Sequence, residues 1–434
     1  MPPTDLPREV ISIILSDADK RTLTNCSRVS REWLVLATKC LYHEVEIRGN
    51  AQLASFLEIL STTKFLPLHV KKLVFKPLGD AMIEIDAYTL ATILDQLPLV
   101  QSLAFPGASI AQVTNRTQIA ALKSRAPRRI KYLSLDCITF NPMAYQWIKI
   151  PHGEGHYQHE YGMLLEVHRI LLLFSSIERL HLETRDYLWV VDRFSDLEVL
   201  NDCPRLNTRV NSMVLNADAC VMDMMRKSAV SQTLTTLQCM PYEESTVRAL
   251  QGFLGACPEL MNLRFVQYSP EGPDTNDLPT PSFNLSHNRR LQSIYFEARL
   301  IPSPNPVHFA TLYLTSWLRT LETVKSKTFR EITLDLQMPL PPPNIPYVGN
   351  FGDKVIIQKH QENDFQTGWS VLDTALDRFP SLRVVRITAS AYAGTIFARK
   401  GKHVDLWEGV SESIVSLMPR MNRRNLLKFE TVIL

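Results

Sequence analysis

The sequence predicts an α/β fold in which three short N-terminal helices lead into an irregular solenoid of strand–helix units with a parallel sheet. Three observations predict it. Residues 5–42 hold three amphipathic stretches separated by polar breaks. From Val45 onward a short segment of the form apolar-x-x-apolar-x-apolar keeps returning, often behind a helix-like stretch. Five of these segments follow a proline by two or three residues, at Pro67, Pro98, Pro127, Pro258 and Pro380.

The N-terminal stretch reads as three helices. Asp5 is a suitable N-cap, Pro7 fits a first turn, and Glu9 lies at the positive end of the helix dipole. Val10, Ile13, Ile14 and, less strictly, Leu15 give one apolar stripe. Ser16-Asp17-Ala18-Asp19 is a polar break able to cap a second helix, on which Leu23, Cys26 and Val29 recur every third residue. Ser30 is placed to cap a third helix carrying Trp33, Leu36, Ala37, Cys40 and Leu41. A unit of about forty residues is marginal alone, so its leftover apolar surface calls for a partner, a neighbouring domain, or both.

Each recurring triple has the alternation of a half-buried strand. The triples are Val70-Leu73-Phe75, Val100-Leu103-Phe105, Ile130-Leu133-Leu135, Ile177-Leu180-Leu182, Leu260-Leu263-Phe265, Leu291-Ile294-Phe296, Phe329-Ile332-Leu334 and Leu382-Val385-Ile387, with Val210-Met213-Leu215 and Leu234-Leu237-Cys239 as weaker members. A proline ahead of the triple ends the helix and biases the preceding residue to extended geometry. The central residues at 73, 103 and 133 are spaced by 30, and later gaps run from 24 to 53. The longer gaps hold polar or Pro-rich insertions near 145–160, 270–282 and 340–349.

The opening Leu-Pro-x-Glu-Val, the pair Ile13-Ile14, the spaced Leu23, and Val29-Ser30-Arg31-x-Trp33 resemble the F-box. Leu41-Tyr42-x-x-Val45-x-Ile47 resembles the tail that follows it in fungal F-box proteins. The resemblance covers about a tenth of the chain. It implies an F-box over residues 1–47 that docks the Skp-type adaptor of a cullin ubiquitin ligase, the SCF ligase. Its implied adaptor-binding residues are Leu6, Pro7, Val10, Ile14, Leu23, Val29 and Trp33, with Leu6 and Pro7 entering the adaptor groove. The link Ser16-Asp17-Ala18-Asp19 is shorter and more acidic than in many F-boxes. Read from the residues alone, the same side chains serve equally as the core of a helical cap.

Residues 48–434 resemble a degenerate leucine-rich-repeat solenoid, whose period is about 20 to 30 residues. The usual ladder asparagine is missing, its places taken by Leu78, Ala108, Ile138, Arg185, Tyr268 and Arg299. Such a stack needs capped ends. The F-box with Val45–Ile47 as a first strand fits one end, and the helix-like Val404–Met418 with the closing Leu426–Leu434 fits the other. Between the apolar strand positions lie Lys72, Lys131, Ser134, Glu178, Arg179, His181, Asn262, Arg264, Ser293, Tyr295, Thr333 and Arg386, a varied set suited to recognising an unknown protein substrate. The implied protein is a non-catalytic substrate receptor that brings a target to the ligase. The alternative is a repeat interaction protein that does not assemble into a ligase.

Composition agrees with a folded chain of this kind, 45% hydrophobic and 21% charged over 434 residues. A net charge of only +3 implies no strong pull toward nucleic acid or an acidic membrane. The seven cysteines include no CxxC pair, and the start MPPTDLPREV has no secretory pattern, so a reduced compartment, cytoplasmic or nuclear, is expected. The longest apolar run, Ile170–Phe174, is far short of the roughly 20 residues that a membrane span requires. No phosphate-binding glycine loop, HExxH or G-x-S-x-G occurs. His152-Gly-Glu-Gly-His156-Tyr-Gln-His159-Glu160 offers metal-binding side chains, but its spacing matches no zinc finger and it reads as a polar insertion. Leu340-Pro-Pro-Pro-Asn-Ile-Pro346 reads as another insertion. No catalytic residue, cofactor or metal is expected.

Overall fold

The computed structural model describes residues 7–63, 66–78, 83–140, 158–184, 205–241, 244–268, 281–299, 306–337, 359–391 and 411–433. The chain forms two compact units, Met1–Val210 and Asn211–Leu434. The expected insertions fall largely outside the described residues, as do Asp5, Leu6, His152, His156 and the 340–346 run.

The first unit opens with α1 (Arg8–Ser16), α2 (Lys20–Cys26) and α3 (Arg31–Leu41). Local chemistry sets these boundaries. The Asp19 carboxylate accepts from the Thr22 backbone N–H at 2.7 Å, and the Ser30 hydroxyl accepts from that of Trp33 at 3.3 Å. The expected cap of α1 moves: Pro7 itself is the N-cap, in extended geometry, and offers no side-chain bond.

After α3 come β1 (Glu44–Ile47), α4 (Asn50–Thr62), β2 (Lys72–Phe75), β3 (Glu84–Asp86), α5 (Ala87–Gln96), β4 (Ser102–Ala104) and β5 (Ser109–Ala111). The unit continues with α6 (Arg116–Ser124), β6 (Arg128–Phe140), α7 (Gln158–Leu172) and β7 (Phe174–Thr184). Strands β1, β2, β4, β6 and β7 lie side by side, all parallel, while β3, β5 and the end of β6 form a small parallel extension.

The second unit takes most of β8 (Arg209–Asn216), then α8 (Ala219–Arg226), α9 (Ala229–Thr233), β9 (Thr236–Cys239), α10 (Glu244–Gly255), β10 (Asn262–Tyr268) and β11 (Ser293–Arg299). It ends with α11 (Pro306–Thr323), β12 (Glu331–Gln337), α12 (Lys359–Asp377), β13 (Val384–Ala391), α13 (Pro419–Arg423) and β14 (Leu427–Ile433), residues 411–417 also being helical. Strands β8 to β14 pair in sequence order, again all parallel.

Every apolar triple read from the sequence lies on or against a strand, and the central residues share one register within each unit. In the first, Val45, Leu73, Leu103, Leu133 and Leu180 are successive cross-strand partners. In the second, Met213, Leu237, Leu263, Ile294, Ile332, Val385 and Leu427 are. The triples are buried throughout, and burial stabilises each such side chain by about 1.5–3 kcal/mol. Aromatic members stack on one another: Phe75 on Phe105 at 4.8 Å, and Phe296 on Phe265 at 5.7 Å and Trp317 at 5.2 Å. Helix ends precede strands as the prolines suggest: α5 ends at Gln96, two residues before Pro98, and α12 at Asp377, three before Pro380. The closing segment is a strand, β14, paired with β13.

Among the described residues no helix is long and apolar enough to cross a membrane. Cys26, Cys40, Cys220, Cys239 and Cys257 are not joined in disulfides. Burial pushes the Cys257 thiol up to about 12, so it behaves as an apolar core group.

Candidate functional site

The three N-terminal helices have a core of their own. Ile11, Leu15, Leu23, Leu36 and Ala37 are buried together, with Ala18, Cys26, Trp33, Cys40 and Leu41 packed around them. On α1, Ile11 and Leu15 are four residues apart and share the inward face. Val10, Ile13 and Ile14 fall on a different arc of the same helix, and all three are exposed, Ile13 at 64%. Val29, in the turn before α3, is 62% exposed. Leu34 and Val35 on α3 also face outward. Exposed large apolar side chains are common singly, but this many within some twenty-five residues mark a surface awaiting cover.

The side chains singled out in the sequence divide between the two faces. Pro7, Val10, Ile14 and Val29 are on the outside. Leu6 lies outside the described residues. Leu23 does not offer area to a visitor: it is 4% exposed and belongs to the core of the three helices. Trp33 is half-buried against that core, so packing α3 is its main task. The stripe read on α1 is corrected in phase. It mixed Leu15, which faces in, with Val10, Ile13 and Ile14, which face out, because a short helix with apolar residues on both faces hides which arc is core. Ile13, Leu34 and Val35 complete the outward set. Leu34 and Val35 were legible as apolar residues outside the stripe of Trp33, Leu36, Ala37, Cys40 and Leu41.

The outward set contains no acid, base or nucleophile. Chemically it can bury area against another apolar surface. The link from α1 to α2 is a single tight turn, with the Ala18 N–H donating to the Leu15 carbonyl at 3.3 Å.

A second surface is the polar face of the strands. In the second unit Arg264 lies over the Tyr295 ring at 4.4 Å and pairs with Glu297 at 2.5 Å. The Tyr295 hydroxyl donates to Asp335 at 2.5 Å. Burial and this bond hold the phenol above its ordinary range. Arg386 bridges Glu331, at 3.1 Å, and Glu430. Lys72 pairs with Glu44 at 3.0 Å, Ser293 donates to Asn262 at 2.8 Å, and Ser134 and Thr333 are buried. Much of the polarity expected to be open for recognition is thus spent on neighbouring strands, while Lys131, Glu178 and Arg179 remain exposed.

Residues 4–48 match the family model described as F-box-like. Comparison with curated proteins gave no match.

Proposed function

From an F-box-like domain at residues 4–48, we propose that the chain is a substrate-receptor subunit of an SCF-type cullin ubiquitin ligase. F-box domains typically bind Skp-type adaptors. The observation that carries the reading is the outward apolar set Val10, Ile13, Ile14, Val29, Leu34 and Val35 on helices that already own a separate core. A self-sufficient core leaves these side chains free for a second polypeptide. Pro7, the exposed N-cap of α1, adds to this set, and the resemblance implies that Leu6 and Pro7 enter the adaptor groove.

The remaining chain, residues 48–434, acts as a leucine-rich-repeat-like platform for a target protein. Its in-register parallel strands support this part of the reading, since they make a rigid scaffold on which surface side chains vary freely. The chain contributes no catalytic group of its own. Holding a target beside the charged conjugating enzyme raises its effective concentration there, as any tether does. The short acidic turn at Asp17–Asp19 favours a second reading, a repeat interaction protein that does not join a ligase.

Pull-down of purified adaptor by the full chain separates the two. Adaptor should be retained by the native chain and lost on Ile14→Asp with Val35→Asp, and also on Leu6→Ala with Pro7→Ala. Equal recovery by native and substituted chains, or none by either, leaves the second reading.

A further inference from the structure

We propose that Asp136, His181 and Glu183 form a binding site for one divalent transition-metal ion of the zinc class. The three residues lie on neighbouring strands of the first unit, where Ser134 pairs with His181 and Leu135 with Leu182. Leu135 and Leu182 point into the core. Strand alternation therefore sends His181 and Glu183 to the opposite face, and Asp136, at the register shift that follows Leu135, brings its carboxylate beside them.

Their geometry is that of a ligand set. One ligand atom from each residue lies within 4.8 Å of those from the other two. The His181 Nε2 is 3.5 Å from a Glu183 carboxylate oxygen. Four ligands at about 2.1 Å around a tetrahedral ion are about 3.4 Å apart, so closing the set requires only small side-chain adjustments. The backbone is held. The Gly107 N–H donates to the Asp136 carbonyl at 2.8 Å, and the ladder shifts register between Leu135 and Ile138. Gly107 has φ +73°, which a side chain would strain.

Composition of the set selects the ion. One imidazole and two carboxylates suit zinc and its neighbours, whereas magnesium and calcium take oxygen ligands throughout. Carboxylates facing each other across adjacent strands repel, and a divalent cation turns that repulsion into coordination. All three side chains are half-exposed, so a fourth position faces solvent, open to water or to a donor from a bound protein. The site is independent of adaptor docking and stands or falls separately from it. The test also separates it from the histidines at 152, 156 and 159.

The test uses the full chain, stripped with chelator and titrated with zinc chloride by calorimetry, with metal content measured after dialysis. One zinc per chain is expected. His181→Gln should weaken binding by about tenfold or more. The triple variant His152→Gln, His156→Gln, His159→Gln should bind as the native chain does. Should His181→Gln lose the native circular dichroism spectrum, Glu183→Gln decides by the same criterion. Absence of stoichiometric zinc in the native chain overturns the proposal, and so does a folded His181→Gln or Glu183→Gln chain with native affinity.

Discussion

The Asn288 side-chain amide donates to the carbonyl oxygen of Leu254 at 2.9 Å, from one strand–helix unit to the end of the helix before it. Its second N–H reaches the Cys257 carbonyl at 2.8 Å. Leu254 lies in the last turn of α10 and Cys257 just beyond it, and each carbonyl also accepts one backbone N–H, Leu254 from Cys257 at 3.1 Å and Cys257 from Leu260 at 3.4 Å. Asn288 is fully buried. Asn288→Ala should lower the stability of the second unit by about 1–3 kcal/mol, the loss of two hydrogen bonds at about 0.5–1.5 kcal/mol each. A urea midpoint equal to that of the native chain would show that the bonds carry no weight.

The same task recurs with other side chains. In the first unit the Thr208 hydroxyl lies 2.8 Å from the carbonyl oxygens of both Leu171 and Phe174, with one proton to offer the pair, and Arg128 reaches the Leu97 and Pro98 carbonyls at 3.1 and 2.8 Å. In the second, Arg424 donates to the Phe379 carbonyl at 3.1 Å. These bonds tie the end of one helix or the turn after it to a segment that lies far along the chain. Thr208→Val keeps the shape and removes the hydroxyl. It should destabilise the first unit by about 1–3 kcal/mol in thermal or urea unfolding. A neutral outcome would mean that the carbonyls find another donor.

The two faces of the N-terminal helices should respond oppositely to substitution. Ile14→Asp changes an exposed side chain and should shift stability by no more than about 0.5 kcal/mol. Leu23→Ala removes a core side chain and should cost about 2–5 kcal/mol. Adaptor pull-down with both, beside their melting curves, reads the two effects apart. Large destabilisation by Ile14→Asp would contradict the assignment of α1's outward arc.

Glu166 on α7 sets a pH dependence. It is fully buried and accepts from the Val113 N–H at 3.0 Å and from Arg169. Burial pushes its carboxyl up from 4.5 to about 7; Arg169 and the Val113 N–H act the other way, and Asp86 adds to the rise. The folded chain thus holds a proton that the unfolded chain has released between about 4.5 and about 7. The group's stabilising share is complete below about 4.5 and is lost as pH rises through about 7. The loss across that window is on the order of 2–4 kcal/mol. Glu166→Gln should flatten the slope and leave the first unit more stable than native at pH 8. Parallel pH profiles for the two chains would remove Glu166 as the cause.

Sequence alone determined the strands that carry the apolar triples and their phase, while β3 and β5 bear no such triple and were not read from it. The spacing of Leu73, Leu103, Leu133 and their counterparts marks positions that a parallel sheet must bury, and a strand's period of two leaves little freedom in where they point. It also marked the helix stops, because proline acts through its own ring. The caps Asp19 and Ser30 were legible for the same reason, each bonding an N–H three residues on. What only the tertiary structure decided is which apolar residues of a short helix are core. Leu23 and Ile14 look alike in a string of letters, and packing against Ile11, Leu15 and Leu36 makes one of them structural and leaves the other bare. Tertiary structure likewise brought Asp136 to His181 and Glu183, and Asn288 to Leu254. Contacts between side chains so distant in the chain arise from strand pairing and helix packing, and local patterning carries no record of them.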